Sequence, residues 1–240
     1  MALPSSHNRD WRALWFALCF PTVFTLVYFV LLDGLPRAWQ LSAYAAGKLV
    51  QFLFPAFWVV FVQREQPRFH RPRMRDLALG AGLGLALLAG LLILYHALKP
   101  AGFLDAVAGQ VRNKLNALGF STGPAFLGVA AFYVLCHSGL EEYCWRWFVF
   151  GQLRRLGTFS SAALISSLGF MAHHVVIVGF FFTWSTVTGI LLTILASTAV
   201  AIGGLIWAWL YHRTGSLYAP WVSHAFMDAA IFVVGYEMIL

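Results

Sequence analysis

Three short stretches place ionisable side chains inside otherwise greasy sequence. Glu141-Glu142-Tyr143-Cys144-Trp145-Arg146 carries two carboxylates and a guanidinium; Phe170 to His174 ends in an imidazole doublet; His224 to Asp228 adds an imidazole and an acid. Charges at membrane depth are expensive, and those that persist face a cavity or a partner. Glu142 and Arg146 are four apart with the acid first, the favoured order for a helical ion pair, and they read as a buried structural pair. Glu141 points about 100° away from Glu142 and is free to face something else. His224 and Asp228 share a helix face, and His137, four residues before Glu141, is within reach of it. His137 and His173 read as packing or hydrogen-bonding residues.

The sequence has no Gly-x-Ser-x-Gly elbow, no His-Glu-x-x-His and no phosphate-binding glycine loop. Cys144 lies three residues from Glu141, but a thiol nucleophile needs an adjacent base. Cys19, Cys136 and Cys144 all fall in apolar runs and read as small buried hydrophobes. Carboxylate and imidazole chemistry remains. A carboxylate withdrawn from water is a better general base for a water molecule, and an imidazole shares or relays the proton. A second imidazole with a hydrogen-bonding neighbour stabilises an oxyanion. This is hydrolysis by activated water, with a peptide bond as a target.

The elements that must position these groups are membrane helices. A hydrophobic fraction of 60%, a mean hydropathy of +0.75 and a charged fraction of 10% lie far from soluble averages. The reading is all-α: a polytopic bundle of about seven spans forming one integral-membrane domain over residues 1–240. The spans are expected at 11–32, 43–63, 77–98, 124–150, 160–182, 186–211 and 217–236, with Lys48 close enough to a helix end to snorkel. Gly80, Gly82 and Gly84 would permit close helix contact. Between spans three and four, Phe103, Val107, Val111, Leu115 and Leu118 recur at helical spacing, with Asp105, Arg112 and Lys114 between them. This is an amphipathic helix at the interface or over the bundle, acting as a connector or a substrate gate.

The net charge of +7 sits in short loops and implies no nucleic-acid partner. With the N-terminus inside, the inner segments carry Arg9, Arg12, Arg64, Arg68, Arg71, Arg73, Arg75, Arg154, Arg155 and Arg213. The outer ones carry Arg37, Lys99, Arg112 and Lys114. The bias predicts a cytoplasmic N-terminus. In that arrangement Glu141 and His174 stand about 20 Å from the inner end of their helices, and His224 and Asp228 about 10 to 16 Å. One shared polar cavity is predicted.

Glu-Glu-x-x-x-Arg at 141–146, Phe-x-x-x-His at 170–174 and His-x-x-x-Asp at 224–228 resemble the three motifs of the CPBP family. These are the CAAX-protease and bacteriocin-processing (Abi, Rce1-like) intramembrane glutamic endopeptidases. Arg213-Thr-Gly-Ser-Leu and the Ala-Pro before His224 are similar to the loop that leads into the family's last motif. The resemblance runs from Leu140 to about Asp228 and implies a catalytic core at 124–236. It implies Glu141 as the base that activates water, assisted by His174; His224 and Asp228 on the oxyanion side; and Glu142 and Arg146 as supports. Where this chain has Asp228 the family often has Asn, and an acid donates a hydrogen bond only when protonated, so Asp228 is alternatively an orienter of His224. The motif spacing selects His174 over His173.

No cofactor is expected. The alternative is a zinc-dependent metalloprotease of the same fold with Glu141, His174, His224 and Asp228 as ligands; a non-proteolytic transporter or immunity scaffold is the further one. The expected partners are the lipid bilayer and a membrane protein, or a lipid-modified protein or peptide, as substrate. The expected location is a cell membrane, the plasma or inner membrane if the cell is prokaryotic.

Overall fold

The computed structural model describes residues 4–102 and 104–239. Phe103, the first residue of the expected amphipathic stripe, lies outside the described residues. Every regular element among the described residues is helical. Seven helices are long and apolar enough to span a bilayer: α1 (Asp10–Leu31), α2 (Arg37–Val62), α3 (Met74–Ala101), α5 (Gly123–Leu156), α6 (Phe159–Phe182), α7 (Val187–Thr214) and α8 (Tyr218–Ile239). The shorter α4 (Asp105–Leu118) joins α3 to α5. These spans make the chain a multi-pass membrane protein.

The helix ends follow local chemistry. The Thr158 and Thr186 hydroxyls cap α6 and α7 by accepting from the backbone N–H groups of Ser161 and Gly189. Gly215, at φ +65°, stops α7 in a left-handed conformation that costs glycine little. α2 begins directly after Pro36, six residues earlier than the expected boundary at 43. Lys48 is therefore mid-span and does not snorkel from an end. α5 likewise runs to Leu156, so Arg154 and Arg155 occupy its last turn. There Arg155 donates two hydrogen bonds to Glu65 (2.8 and 2.5 Å), pinning the arginine-rich loop 64–73 and holding the Glu65 carboxyl below the usual carboxylate range.

α5 is the central post. Around its second half, Trp145, Phe148, Val149, Phe150 and Leu153 pack with Leu14 of α1, Phe170 of α6, and Trp207 and Leu210 of α7 into one core. α3 lies along α8. A Cβ on Gly80 would stand 2.3 Å from the Ala219 carbonyl oxygen, and one on Gly84 2.8 Å from the Phe226 ring. Gly82 faces open space and takes no part in the contact expected of it. We expect Gly80→Ala to lower the thermal unfolding midpoint in detergent, by the ~1–3 kcal/mol of an overpacked contact, and Gly82→Ala to leave it unchanged. Equal shifts in the two variants would contradict this packing.

α4 folds over the end of the bundle opposite the arginine loop. Its buried face holds Val107 and Leu118, and Lys114 as well, which the sequence reading had placed between the apolar positions. Lys114 is seven residues from Val107 and three from Val111, hence on the same face. Its amine donates to Asp33 (2.8 Å) and Gln40 (2.9 Å) amid the rings of Tyr28, Phe29 and Phe180. Arg112 donates to the Met238 carbonyl. α4 is thus a connector with one buried face.

Candidate active site

The middle of α5 is not a uniform α-helix. The five residues Ser138–Glu142 are α-helical, but π-helical turns precede them (Tyr133–His137) and follow them (Tyr143–Phe150). Interruptions of this kind concentrate at functional sites. They widen the helix on both sides of the double glutamate while leaving its own turn regular.

Glu141 and Glu142 consequently face different partners. Glu142, fully buried, spans two groups: its Oε2 lies 3.2 Å from Arg146 Nε and its Oε1 lies 2.8 Å from His224 Nδ1. Arg146 donates to the Gly204 carbonyl (3.4 Å) and lies over the Phe170 ring (4.8 Å) and the Trp207 ring (5.3 Å). The ion pair read from the i,i+4 spacing is present, and Glu142 also fixes His224. With Nδ1–H given to Glu142, His224 turns Nε2 inward, 3.8 Å from Glu141 Oε2 and 3.6 Å from Asp228 Oδ1. Asp228 therefore faces the working nitrogen of His224, and Glu142 is the residue that orients the ring.

Glu141 is ringed by imidazoles. His173 Nε2 lies 3.5 Å from Oε1, and His137 Nδ1 and His224 Nε2 lie 3.9 and 3.8 Å from Oε2. His174 converges on the same point, with one donor atom each from Glu141, His173 and His174 within 4.8 Å of one another. His174 Nδ1 is engaged by the Phe170 carbonyl at 2.9 Å, which leaves Nε2 free. Glu141, His137, His173 and His224 are buried, whereas His174 and Asp228 are partly exposed. All four predicted site residues and both supports thus meet in one cluster, which His137 and His173 join. Those two histidines, read as packing or hydrogen-bonding residues, both lie against Glu141.

The sequence reading missed the aromatic frame. Trp207 stacks on His224 (4.0 Å, 16°) and Trp145 on His173 (5.5 Å, 5°). Phe170 lies between them, its ring near His173, His174, His224 and Arg146. Hydropathy counts these rings as ordinary apolar residues; only the Phe-x-x-x-His spacing marked one of them. The thiols differ as well: Cys144 is buried and donates to the Gln51 carbonyl (3.3 Å), whereas Cys19 and Cys136 are exposed on the bundle's outer surface.

The donors that fit a metal are Glu141, His173 and His174. Three protein ligands with a fourth position for water is the catalytic zinc pattern, and a Nδ1–carbonyl hydrogen bond such as that of His174 is the usual support of a ligating imidazole. His224 and Asp228 fall outside this group, so the predicted four-ligand set does not assemble. Beside the cluster a groove of ≈ 430 Å³ is lined by Phe69 and His70 of the arginine loop, by Leu135, Cys136, Gly139 and Leu140 of α5, and by Leu217 with Tyr218 and Trp221 of α8. None of the clustered ionisable groups lines it, but Leu140 adjoins Glu141 on its wall.

Residues 123–230, which contain Glu141, Glu142, Arg146, His224, Asp228 and the three other clustered histidines, match the family model described as type II CAAX prenyl endopeptidase Rce1-like. This stretch, just under half of the chain, is similar to the Rce1-like family. The match agrees with the CPBP resemblance of the three motifs, and at family level it is to a CAAX-type intramembrane protease, hence to a hydrolase. No curated protein and no solved structure matches the chain.

Proposed function

We propose that this protein is an intramembrane endopeptidase in which Glu141 activates a water molecule against a peptide bond, with 124–236 as the catalytic core of a single 1–240 domain. The observation that carries the reading is the convergence on Glu141 of imidazoles from α5, α6 and α8. Glu141 takes a proton from water as the oxygen attacks the carbonyl carbon. The tetrahedral intermediate collapses with breakage of the C–N bond, and the proton passes to the leaving amine, with His174 or its neighbour His173 as relay. His224 is aimed at the developing oxyanion, a role that requires a proton on Nε2 because Nδ1–H is committed to Glu142. Asp228, 3.6 Å from that nitrogen, favours the protonated ring rather than donating to the oxyanion itself. An apolar substrate segment would lie in the groove beside Leu140. The similarity to type II CAAX prenyl endopeptidases supports a prenylated protein tail as the substrate class.

The second reading rests on the three converging donors. Zinc held by Glu141, His173 and His174 would supply Lewis-acid activation of water, and His224 would keep its place on the oxyanion side. Purified protein in detergent, tested on a quenched peptide library beside Glu141→Ala, decides the first question: equal cleavage by both defeats the assignment. A chelator arm decides the second. Unchanged activity after chelation is the expected result, whereas loss restored by zinc establishes the metal form.

The arginine bias further supports a cytoplasmic N-terminus. With seven spans, a reporter fused after Leu240 is expected to lie outside. Cytoplasmic reporter activity would refute this topology.

A further inference from the structure

Lys48 stands eleven residues after the start of α2 and fourteen before its end, about 16 and 21 Å from the two ends. Its amine donates to Gln51 Oε1 (3.1 Å) and lies near the rings of Tyr44 (5.8 Å) and Phe52 (5.4 Å). Two contacts fix the direction it faces. Phe52 meets His137 edge-on at 5.8 Å, and His137 touches Glu141. The Gln51 carbonyl receives the Cys144 thiol, one turn beyond Glu141 on α5. Lys48 therefore looks onto the flank of α5 that carries Glu141, and the two interact electrostatically.

Arg146 and Lys114, which are buried, each have a carboxylate close by (3.2 and 2.8 Å), whereas Lys48 is half-buried. No carboxylate of the described residues lies within 4.0 Å of the Lys48 amine. A cation at membrane depth whose hydrogen bond goes to a neutral amide oxygen is costly, and an arriving anion offsets that cost. Beside a candidate general base, the anion that arrives is part of the substrate. A charge-assisted hydrogen bond formed out of water is also stronger than a neutral one.

We propose that Lys48 receives a carboxylate of the substrate, so that the enzyme selects peptides carrying a negative charge near the scissile bond. This rests on the endopeptidase reading above. The carboxylate is either the chain terminus or an Asp or Glu side chain, and two peptide pairs separate these sources. One pair ends in a free acid or an amide; the other carries Asp or Asn at one internal position beside the cleaved bond.

For wild-type protein, kcat/KM is expected to be about tenfold higher for the charged member of one pair, with the difference in KM. The pair that shows it identifies the source. Lys48→Gln should bring that ratio to about one, and Lys48→Arg should keep most of it, which a purely packing role for Lys48 would not produce. Wild-type protein that treats both pairs alike overturns the proposal. So does a Lys48→Gln variant that keeps the discrimination. The wild-type comparison needs no variant to fold. If wild-type protein cleaves no member of either pair, the endopeptidase reading itself falls, and the role of Lys48 with it.

Discussion

Glu141→Gln is expected to cut peptide cleavage by about 10²- to 10⁴-fold, the range spanned by removal of a positioned general base. The amide keeps the shape of the side chain and can still hydrogen-bond to His173, 3.5 Å away, but it cannot take a proton from water. The loss should fall on kcat, since the groove beside Leu140 is untouched. The thermal unfolding midpoint should change little, because the ion-pair contacts of Glu141 within 4.0 Å among the described residues are to imidazoles, which can remain neutral. Cleavage within a few fold of wild type would show that the base is elsewhere.

Glu142→Gln and Arg146→Gln should behave in the opposite sense. Both residues are almost completely enclosed (0% and 1% exposed), and removing either charge strands the other away from water. Breaking a buried pair in this way costs about 3–5 kcal/mol, which lowers the melting temperature and the yield far more than Glu141→Gln does. For Glu142 the damage extends to chemistry, because the carboxylate that holds Arg146 at 3.2 Å also holds His224 at 2.8 Å. Any folded Glu142→Gln protein should therefore also lose activity, while folded Arg146→Gln protein should keep more of it. A melting series in which Glu141→Gln is the least stable of the three would reverse this division of labour.

Much of the frame was legible in the sequence because membrane helices announce themselves by long apolar runs bounded by polar residues. All seven spans lie near their expected places, and the depth argument brought Glu141, His174, His224 and Asp228 to a common level. The details that failed were those hydropathy and spacing cannot carry. Lys48 was misread because the start of α2 was set by Pro36 and not by the first apolar residue. Lys114 was misread because its charge outweighed its position on the apolar face. His173 was passed over because the motif numbers only one imidazole of the doublet, although in a helix whose neighbours crowd it from several sides both can reach α5. The π-helical turns around Ser138–Glu142 left no sequence signal at all, since their hydrogen-bond register is imposed by packing. Trp145 and Trp207 looked like any other aromatic residues until their rings were found lying flat on His173 and His224.

The clasp of Lys114 on Asp33 and Gln40 has a bearing on traffic through the molecule. α4 is strapped across one end, and the groove lies beside the arginine loop at the other. On the endopeptidase reading proposed above, a peptide would enter and its fragments would leave on the arginine-loop side, so the cut tail would return to the face of the bilayer from which it came.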